Sequence, residues 1–316
     1  MSHCKHKSSL LKIIFIPVLL FLYSSVKAQD SIPLQQVSSK KVWLIAGANV
    51  ALWTGSFIAL NKAWYADYPK SKFHFFNDNS EWNQMDKIGH AWTAYRISRL
   101  SAGAWRWTGL SDKKSAWIGG ISGVAYQSII EIQDGFSDEW GFSWGDMTAN
   151  VIGSAAFTVQ ALTWKEQRLQ IKLSNNPYQY PDDLIERRDQ LFGKSLPERM
   201  LKDYNSQTYW ISANLESFFP KTKLPAWLNF SAGYASELML GGHENKWIDK
   251  IGVPHDRTDI PRVRRFFIAP DLEFVKIKTR SKLLRTVFLL INGMKLPAPA
   301  LELNSKGRIK LHGIYF

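Results

Sequence analysis

The chain has 316 residues, which is enough for one large domain or for two ordinary ones. Aromatic residues make up 14% of it, with 14 Trp and 18 Phe, and this content excludes a disordered chain. The formal net charge is +13 at pH 7, but no nucleic-acid-binding motif accompanies it, so we expect no nucleic-acid partner.

The N-terminus has the pattern of a secretory signal peptide over residues 1–28. A lysine-rich start precedes an apolar run at 13–23, and small residues predict cleavage after Ala28, with an uncleaved anchor as the alternative. The only cysteine, Cys4, lies before the apolar run, so it is not placed to carry the lipid of a lipoprotein. We therefore expect an exported protein of the periplasm or of an envelope membrane, the outer membrane included.

Residues 29–165 are predicted to form a helical domain of four helices rich in small residues. The first is an uncharged run at 42–60, which is long enough to span a bilayer but also fits a helix in a soluble core. The second helix begins at Asp86, and the third occupies about 115–130. The fourth begins after Ser143, which is a predicted N-cap.

The second half of the chain differs in composition and in period. A charged connector with one or two short helices is predicted at 166–205. Apolar and polar residues then alternate through much of 206–316, which is typical of half-buried strands, and an amphipathic helix is predicted at 282–294. The predicted fold class is therefore α+β, with a helical domain followed by a basic antiparallel β-rich region.

The C-terminus gives a weak indication of an outer-membrane protein, because Phe316 follows aromatic-rich strands. Lys310 and His312 share the side of Phe316, where contact with lipid would require apolar residues. This pattern favours a small antiparallel sheet packed against helices.

Positive charge is concentrated in the second half. Residues 166–316 contain 24 basic and 16 acidic side chains, against 12 and 11 in residues 29–165. The basic side chains between Arg262 and Arg285 are compatible with one patch for anionic lipid or polysaccharide, or with an ordinary solvated face. We expect the partner to be a membrane or an anionic envelope polymer, and the sequence indicates no particular protein partner.

Three clusters of polar residues interrupt the apolar helices of the first half. Within each cluster the spacing is three or four residues, which places the side chains on one helix face. Because each cluster lies at the end of an apolar segment, helix packing would bring the clusters together. The candidate catalytic residues are His90, Glu131, Asp134 and Asp146, and the candidate ligand-binding residues are Asp86, Ser143 and Asn150.

These residue types are compatible with chemistry or with structure alone. An imidazole beside carboxylates can exchange a proton near neutral pH, and the same set can bind a divalent metal ion, although no cofactor is specified. Alternatively, Asp86 and Asp146 cap helix N-termini, and the network only determines how the helices pack. His243 and His255 are expected to be solvated loop residues.

Two functions follow from these alternatives. The first is an envelope protein whose polar cluster has a structural or ligand-binding role. The second is an envelope enzyme, acid/base or metal-dependent, that acts on a lipid-linked or cell-wall substrate with His90 as the acid/base group. A distance of more than about 10 Å between His90 and the carboxylates would exclude the enzyme.

The order of the three motifs resembles a known family of unknown function. The motifs are Asp86-Lys87-x-x-His90, Glu131-x-x-Asp134 and Phe142-Ser143-x-x-Asp146-x-x-x-Asn150-x-x-Gly153. They resemble the YfiM-like predicted periplasmic lipoproteins and are more distantly similar to the VanZ-like membrane proteins. The resemblance covers about 40–165 and implies an envelope location and a shared polar site, without a reaction. The chain departs from the family by lacking the lipidation cysteine and by carrying the β-rich half.

Overall fold

A computed structural model of the protein describes residues 36–65, 68–249 and 251–316, which form a mixed α+β fold. Helices dominate up to Thr163 and antiparallel strands dominate beyond it, as the sequence predicts. The predicted signal peptide at 1–28 lies outside the described residues.

Four long helices form the first half of the described chain. They are α1 Ser39–Leu60, α2 Met85–Trp107, α3 Asp112–Asp134 and α4 Trp144–Thr163. Helices α2, α3 and α4 pack closely against one another, whereas α1 has few contacts with them. The helical core therefore has three closely packed helices with α1 at its side, rather than the four that the sequence predicts.

Close packing of α2 depends on glycines in the two neighbouring helices. A Cβ atom at Gly153 would lie 2.0 Å from the carbonyl oxygen of Ala91, and one at Gly123 would lie 2.2 Å from Ser98 Oγ. A larger residue at either position would push the helices apart. As a result, α4 crosses α2 directly beside His90.

Only one residue of helix α1, Ile45, is fully buried. The most apolar stretch of 18 residues in this helix has a mean hydropathy of 1.5, and only 6% of this stretch is buried. Trp43 is 77% exposed and Val50 is 68% exposed. The length and composition of α1 would allow it to cross a membrane, and it is the one helix of the described residues with this property.

A six-stranded antiparallel sheet is the centre of the second half. The strands of the second half, six in this sheet and two in a hairpin, are β1 Leu169–Asn175, β2 Gln207–Asn214, β3 Leu228–Glu237, β4 Lys246–Ile248, β5 Pro254–Asp256, β6 Val263–Leu272, β7 Ala298–Asn304 and β8 Ile309–Tyr315. The order in the sheet is β1-β2-β3-β6-β7-β8, and β4 and β5 form a separate hairpin between β3 and β6.

Shorter helices connect these elements. They are α5 Ile185–Phe192, α6 Leu196–Lys202, α7 Leu215–Phe218 and α8 Lys282–Ile291. Helix α8 lies where the amphipathic helix is predicted. The segment predicted as a connector, 166–205, contains two of the short helices, as expected. It also contains strand β1, which was not predicted. Gln170 and Lys172 made this strand look like a charged linker, but both side chains are buried in the protein.

The two faces of the sheet differ in chemistry. The interior face combines polar side chains with an aromatic cluster of Trp210, Phe267 and Tyr315. The opposite, outer face is apolar, and at β2 it packs against the helices through Tyr209, which contacts Met85.

A fully buried ion pair lies on the interior face. Lys172 Nζ is 2.7 Å from Asp271 Oδ2 and donates a hydrogen bond of 2.6 Å to the Leu272 carbonyl. The same carboxylate accepts hydrogen bonds from Ser212 and Ser231. Because both charged side chains are 0% exposed, each depends on the other to offset the cost of its burial.

The basic residues between Arg262 and Arg285 do not form a single patch, which is one of the two arrangements that the sequence allows. Strand β6, of 10 residues, separates Arg264 and Arg265 from the basic segment that follows the strand. A strand of this length spans roughly 30 Å. In addition, Arg265 is paired with Glu302 at 2.6 Å.

The substitution Lys172→Met should lower the free energy of unfolding by about 3–5 kcal/mol, because it leaves the Asp271 carboxylate buried without its cation. Denaturant unfolding of both proteins measures this difference. Lys246→Met is the matched control, since Lys246 is 3.5 Å from Asp256 in an exposed pair, and it should leave the midpoint almost unchanged. Equal effects of the two substitutions would contradict the importance of the buried pair.

Candidate functional site

The candidate site forms where three helix ends meet. Helix α3 runs antiparallel to α2, since Gly123 of α3 faces Ser98 while Gln127 of α3 faces His90. The C-terminal end of α3 therefore lies beside the N-terminal ends of α2 and α4. This topology brings together the polar clusters that are distant in sequence.

A left-handed turn positions the start of α2. Trp82, Asn83 and Gln84 have φ values of 47°, 50° and 64°, which cost about 1–2 kcal/mol each for residues other than glycine. The sheet holds this turn, because the Asn83 carbonyl accepts hydrogen bonds from Tyr234 Oη at 2.6 Å and from Arg264 Nη1 at 3.1 Å. The β-rich half thus determines where the first residues of α2 lie.

The imidazole of His90 is at the centre of the cluster. Its Nδ1 atom is 3.4 Å from Glu131 Oε1, 3.2 Å from Asn150 Oδ1 and 3.3 Å from Gln127 Nε2. Its Nε2 atom is 3.9 Å from Asp86 Oδ1. His90 therefore contacts side chains of all three core helices, and two carboxylates lie far inside the 10 Å limit set for an acid/base group.

Lys87 is the second cationic group of the cluster. Its Nζ atom is 2.6 Å from Asp78 Oδ1, 2.8 Å from Asp146 Oδ1 and 3.8 Å from Asp86 Oδ2. Ser143 Oγ donates to Asp78 and accepts from the Asp146 backbone N–H, so it is the N-cap of α4 as predicted. The Asp146 carboxylate is paired with Lys87 and is not itself the cap.

Two tyrosines complete the partners of the carboxylates. Tyr204 donates a 2.5 Å hydrogen bond to Asp86, and Tyr65 donates a 2.6 Å hydrogen bond to Asp134. Asp134 and Ser143 therefore lie at the margin of the cluster. The predicted residues that gather closely around His90 are Asp86, Glu131, Asp146 and Asn150.

Burial and mutual repulsion shift several pKa values. Burial lowers the pKa of His90, but Asp86, Asp146 and Glu131 outweigh it and raise the pKa to about 9. Burial raises the pKa of Glu131 to about 7, against the effect of His90. Burial also raises the pKa of Asp134 to about 6, and burial with repulsion from Asp86 raises the pKa of Asp146. Burial is therefore the main cause of the raised carboxyl pKa values, and repulsion between the carboxylates adds to it.

Three of these residues have a geometry suitable for metal coordination. One ligand atom each from Asp86, His90 and Asp146 lies within 4.8 Å of the other two. An imidazole nitrogen with two carboxylate oxygens is a donor set that suits Zn²⁺ or Mn²⁺. Because Lys87 pairs with Asp146, a metal ion would compete with its ammonium group.

Residues 74–162 match a family described as predicted periplasmic lipoprotein (DUF2279). The matched segment includes every candidate site residue from Asp86 to Asn150 and ends before the sheet, so it covers less than a third of the chain. Among curated proteins and among solved structures, nothing matches the chain. Together with the apolar N-terminal sequence, the family match supports an exported protein of the cell envelope.

Some members of the cluster were not predicted as site residues. Gln127 precedes Glu131 by one helical turn, so the same four-residue spacing would have revealed it. Lys87 was visible in the motif but was given no role. Asp78 and Tyr204 come from loops, where no helical spacing connects them to the site, and only the fold brings them there.

Stability should fall as the pH rises from about 6.5 to 9. The pKa of His90 is raised above its ordinary value, so its stabilising charge is complete below pH 6.5 and is lost as the pH passes 9. A shift of this size corresponds to roughly 3 kcal/mol. The raised pKa values of Glu131 and Asp146, about 7 and about 8, add a loss of the same sign in this interval. Denaturant unfolding at several pH values should therefore show a loss in the wild type that is smaller, but still present, in His90→Gln.

The control for this pH series is His255→Gln. His255 pairs with Asp249 at 2.9 Å, but its side chain is 40% exposed, so solvent screens the interaction. This variant should keep the pH dependence of the wild type. A wild-type profile that is flat across the interval would show that the His90 charge does not stabilise the fold.

Proposed function

We propose that this envelope protein binds a divalent transition-metal ion between Asp86, His90 and Asp146. The observation that carries the proposal is the convergence of one nitrogen and two oxygen ligand atoms within 4.8 Å in a largely buried cluster. The ligand-binding role is the function that the geometry supports best. A purely structural network is the alternative that the experiments below separate from it.

The charge balance of the cluster supports a cationic ligand. Among the described residues, the ion pairs and hydrogen bonds of the cluster involve five carboxylates and two cationic groups. The other ionisable side chains in these contacts are tyrosines. A bound divalent ion would offset part of this excess and would favour the ionised carboxylates. The carboxylates of the cluster are those of Asp78, Asp86, Glu131, Asp134 and Asp146.

Unpaired buried polar atoms also indicate a ligand. Gln127 Oε1 and Asn150 Nδ2 have no hydrogen-bond partner among the described residues, and the two side chains are 2% and 0% exposed. Leaving a buried polar atom without a partner costs about 1–3 kcal/mol. Water or another ligand of the bound ion could satisfy them, since both residues contact His90.

Binding of Zn²⁺ or Mn²⁺ should raise the melting temperature of the mature protein by about 3–8 °C at saturating concentration, because only the folded state presents all three ligands. Calorimetric titration should give one site per chain, and Mg²⁺ should bind more weakly because it prefers an all-oxygen donor set. His90→Gln and Asp146→Asn should each abolish the shift.

The matched control for metal binding is Asp249→Asn, which alters a carboxylate paired with an imidazole outside the cluster. This variant should bind the ion as the wild type does. If the ions fail to bind the wild type, or if His90→Gln binds them unchanged, the proposed metal site is wrong.

Lys87→Gln distinguishes a metal site from a structural network. Without the ammonium group, two carboxylates lose their cation, so the metal-free protein should be less stable. Metal affinity should nevertheless rise, by about tenfold, because the ion no longer competes with Lys87. Calorimetric titration beside denaturant unfolding measures both effects, and a loss of stability without a gain in affinity would favour the structural network.

An envelope enzyme is the second candidate function. It is favoured by the pKa of about 7 for Glu131, which lies next to His90 and could exchange a proton near neutral pH. The substrate would be lipid-linked or derived from the cell wall. Turnover of such a substrate that is lost in both Glu131→Gln and His90→Gln, with the fold intact, would support this function over simple binding.

The family relation and the membrane partner extend this proposal. The order of the three motifs supports a relation to the YfiM-like lipoproteins and, more distantly, to the VanZ-like membrane proteins. The exposed helix α1 and the basic second half support association with an envelope membrane or an anionic polymer.

A further inference from the structure

The outer face of the sheet is apolar along a continuous row of paired residues. Ile211 of β2 is paired with Ala232, which is paired with Ile268, and the row continues through the next two strands. It ends with Leu301 paired to Leu311. The exposed fractions along this row reach 59% at Ile211 and 76% at Leu311.

A neighbouring row on the same face has the same character. Tyr234 is paired with Phe266, Phe266 with Leu303, and Leu303 with Ile309. Phe266, Leu303 and Ile309 are all exposed. The helices cover this face at Tyr209 of β2. Over β6, β7 and β8, no described element covers these two rows.

The interior face of the sheet carries the charged side chains that these two rows lack. It holds the buried Lys172–Asp271 pair, and Arg265 there contacts Glu302, which also pairs with His312 at 2.7 Å. A sheet with one face in water normally places apolar side chains inside and polar ones outside. Here the arrangement is reversed, as in strands whose outer face contacts lipid.

One end of the sheet has the composition of a membrane interface. The loop after β2 exposes Phe219 and Trp227 beside Lys221 and Lys223. Segments 215–227 and 273–297, both at this end, contain 8 basic and 2 acidic side chains. Aromatic and basic residues together are typical of the headgroup region of a bilayer.

The opposite end of the sheet has no such excess of positive charge. Segments 176–206, 238–262 and 305–308, which connect strands at that end, contain 11 basic and 10 acidic side chains. The asymmetry gives the sheet a defined orientation relative to an anionic surface. It also favours lipid over a second copy of the chain, because a second copy has no anionic end to place against the basic end of the sheet.

We propose that the outer face of β3, β6, β7 and β8 lies against the acyl chains of an anionic envelope membrane, with the 215–227 loop at the headgroups. This inference rests on the membrane association proposed above and specifies the surface responsible. It assigns the lipid contact to the sheet, in addition to any contribution from helix α1.

Single engineered cysteines test this surface directly. The only native cysteine, Cys4, lies in the predicted signal peptide, so the mature chain contains only the engineered cysteine. Leu311→Cys and Ile268→Cys carry an environment-sensitive fluorophore on the outer face. Ile251→Cys is the matched control, since Ile251 is an aliphatic residue with 85% exposure in the β4–β5 hairpin. The full mature chain is mixed with vesicles of phosphatidylethanolamine and phosphatidylglycerol, with and without brominated acyl chains.

We expect the labels at positions 311 and 268 to shift to shorter wavelength and to be quenched by brominated chains, and the label at 251 to do neither. If the protein floats with vesicles but all three labels respond alike, the sheet surface is wrong and membrane association stands. If it does not bind vesicles, both are wrong. Shielding of position 311 in a lipid-free dimer would overturn the proposal in favour of a second copy.

The basic loop has its own test. Lys221→Glu with Lys223→Glu should reduce vesicle binding several-fold at low salt, and the difference should shrink at high salt because headgroup attraction is screened. Lys246→Glu with Lys306→Glu changes two exposed lysines away from this loop and should have a smaller effect. Equal effects of the two pairs would overturn the proposed orientation.

Discussion

The structure depends on the pairing of buried carboxylates with two cationic groups of α2. Carboxylates from α3, α4 and a loop converge on one point because glycines let the helices cross closely, and His90 and Lys87 supply the positive charge there. Burying an unpaired carboxylate costs several kcal/mol, so helix packing and proton binding are linked. Burial raises the pKa values of Glu131 and Asp134, and the cluster holds five carboxylates against two cationic groups. A site in this state can accept a proton or a metal ion, and either would also tighten the helix contacts.

The β-rich half completes this cluster and is not an independent attachment. Tyr204 donates to Asp86, and Tyr234 and Arg264 hold the left-handed turn from which α2 begins. Three consecutive non-glycine residues with positive φ are unfavourable alone, so the turn persists only while the sheet is in place. A ligand at Asp86 would therefore favour the docked arrangement of the two halves. The family match, which ends at residue 162, includes the side chains that converge from α2, α3 and α4 but omits the sheet that positions one of them.

Much of the fold could be predicted because helix and strand periods are local properties of the sequence. The four long helices, the alternating strands and the amphipathic helix α8 all follow from periodicity. The clustering of Asp86, His90, Glu131 and Asp146 was predicted from spacing at helix ends. Asp78 and Tyr204 were not, because residues in loops acquire their neighbours only through the tertiary fold. Strand β1 was missed because the usual rule, in which polar residues face water, does not hold for a sheet whose interior contains Lys172.

The same reversal changes the meaning of the last strand. Lys310 and His312 made the C-terminal strand look unsuited to lipid, on the assumption that their side of the strand faces outward. In the structure His312 points to the interior and pairs with Glu302, so the side that faces outward is that of Ile309 and Leu311. Fully burying one large aliphatic side chain is worth about 1.5–3 kcal/mol. Ile268, Leu301, Leu303, Ile309 and Leu311 are 41–76% exposed, so leaving them in water forgoes on the order of 5 kcal/mol. That amount is a large fraction of the stability of a typical domain. The proposed contact of this face with hydrocarbon would remove that cost.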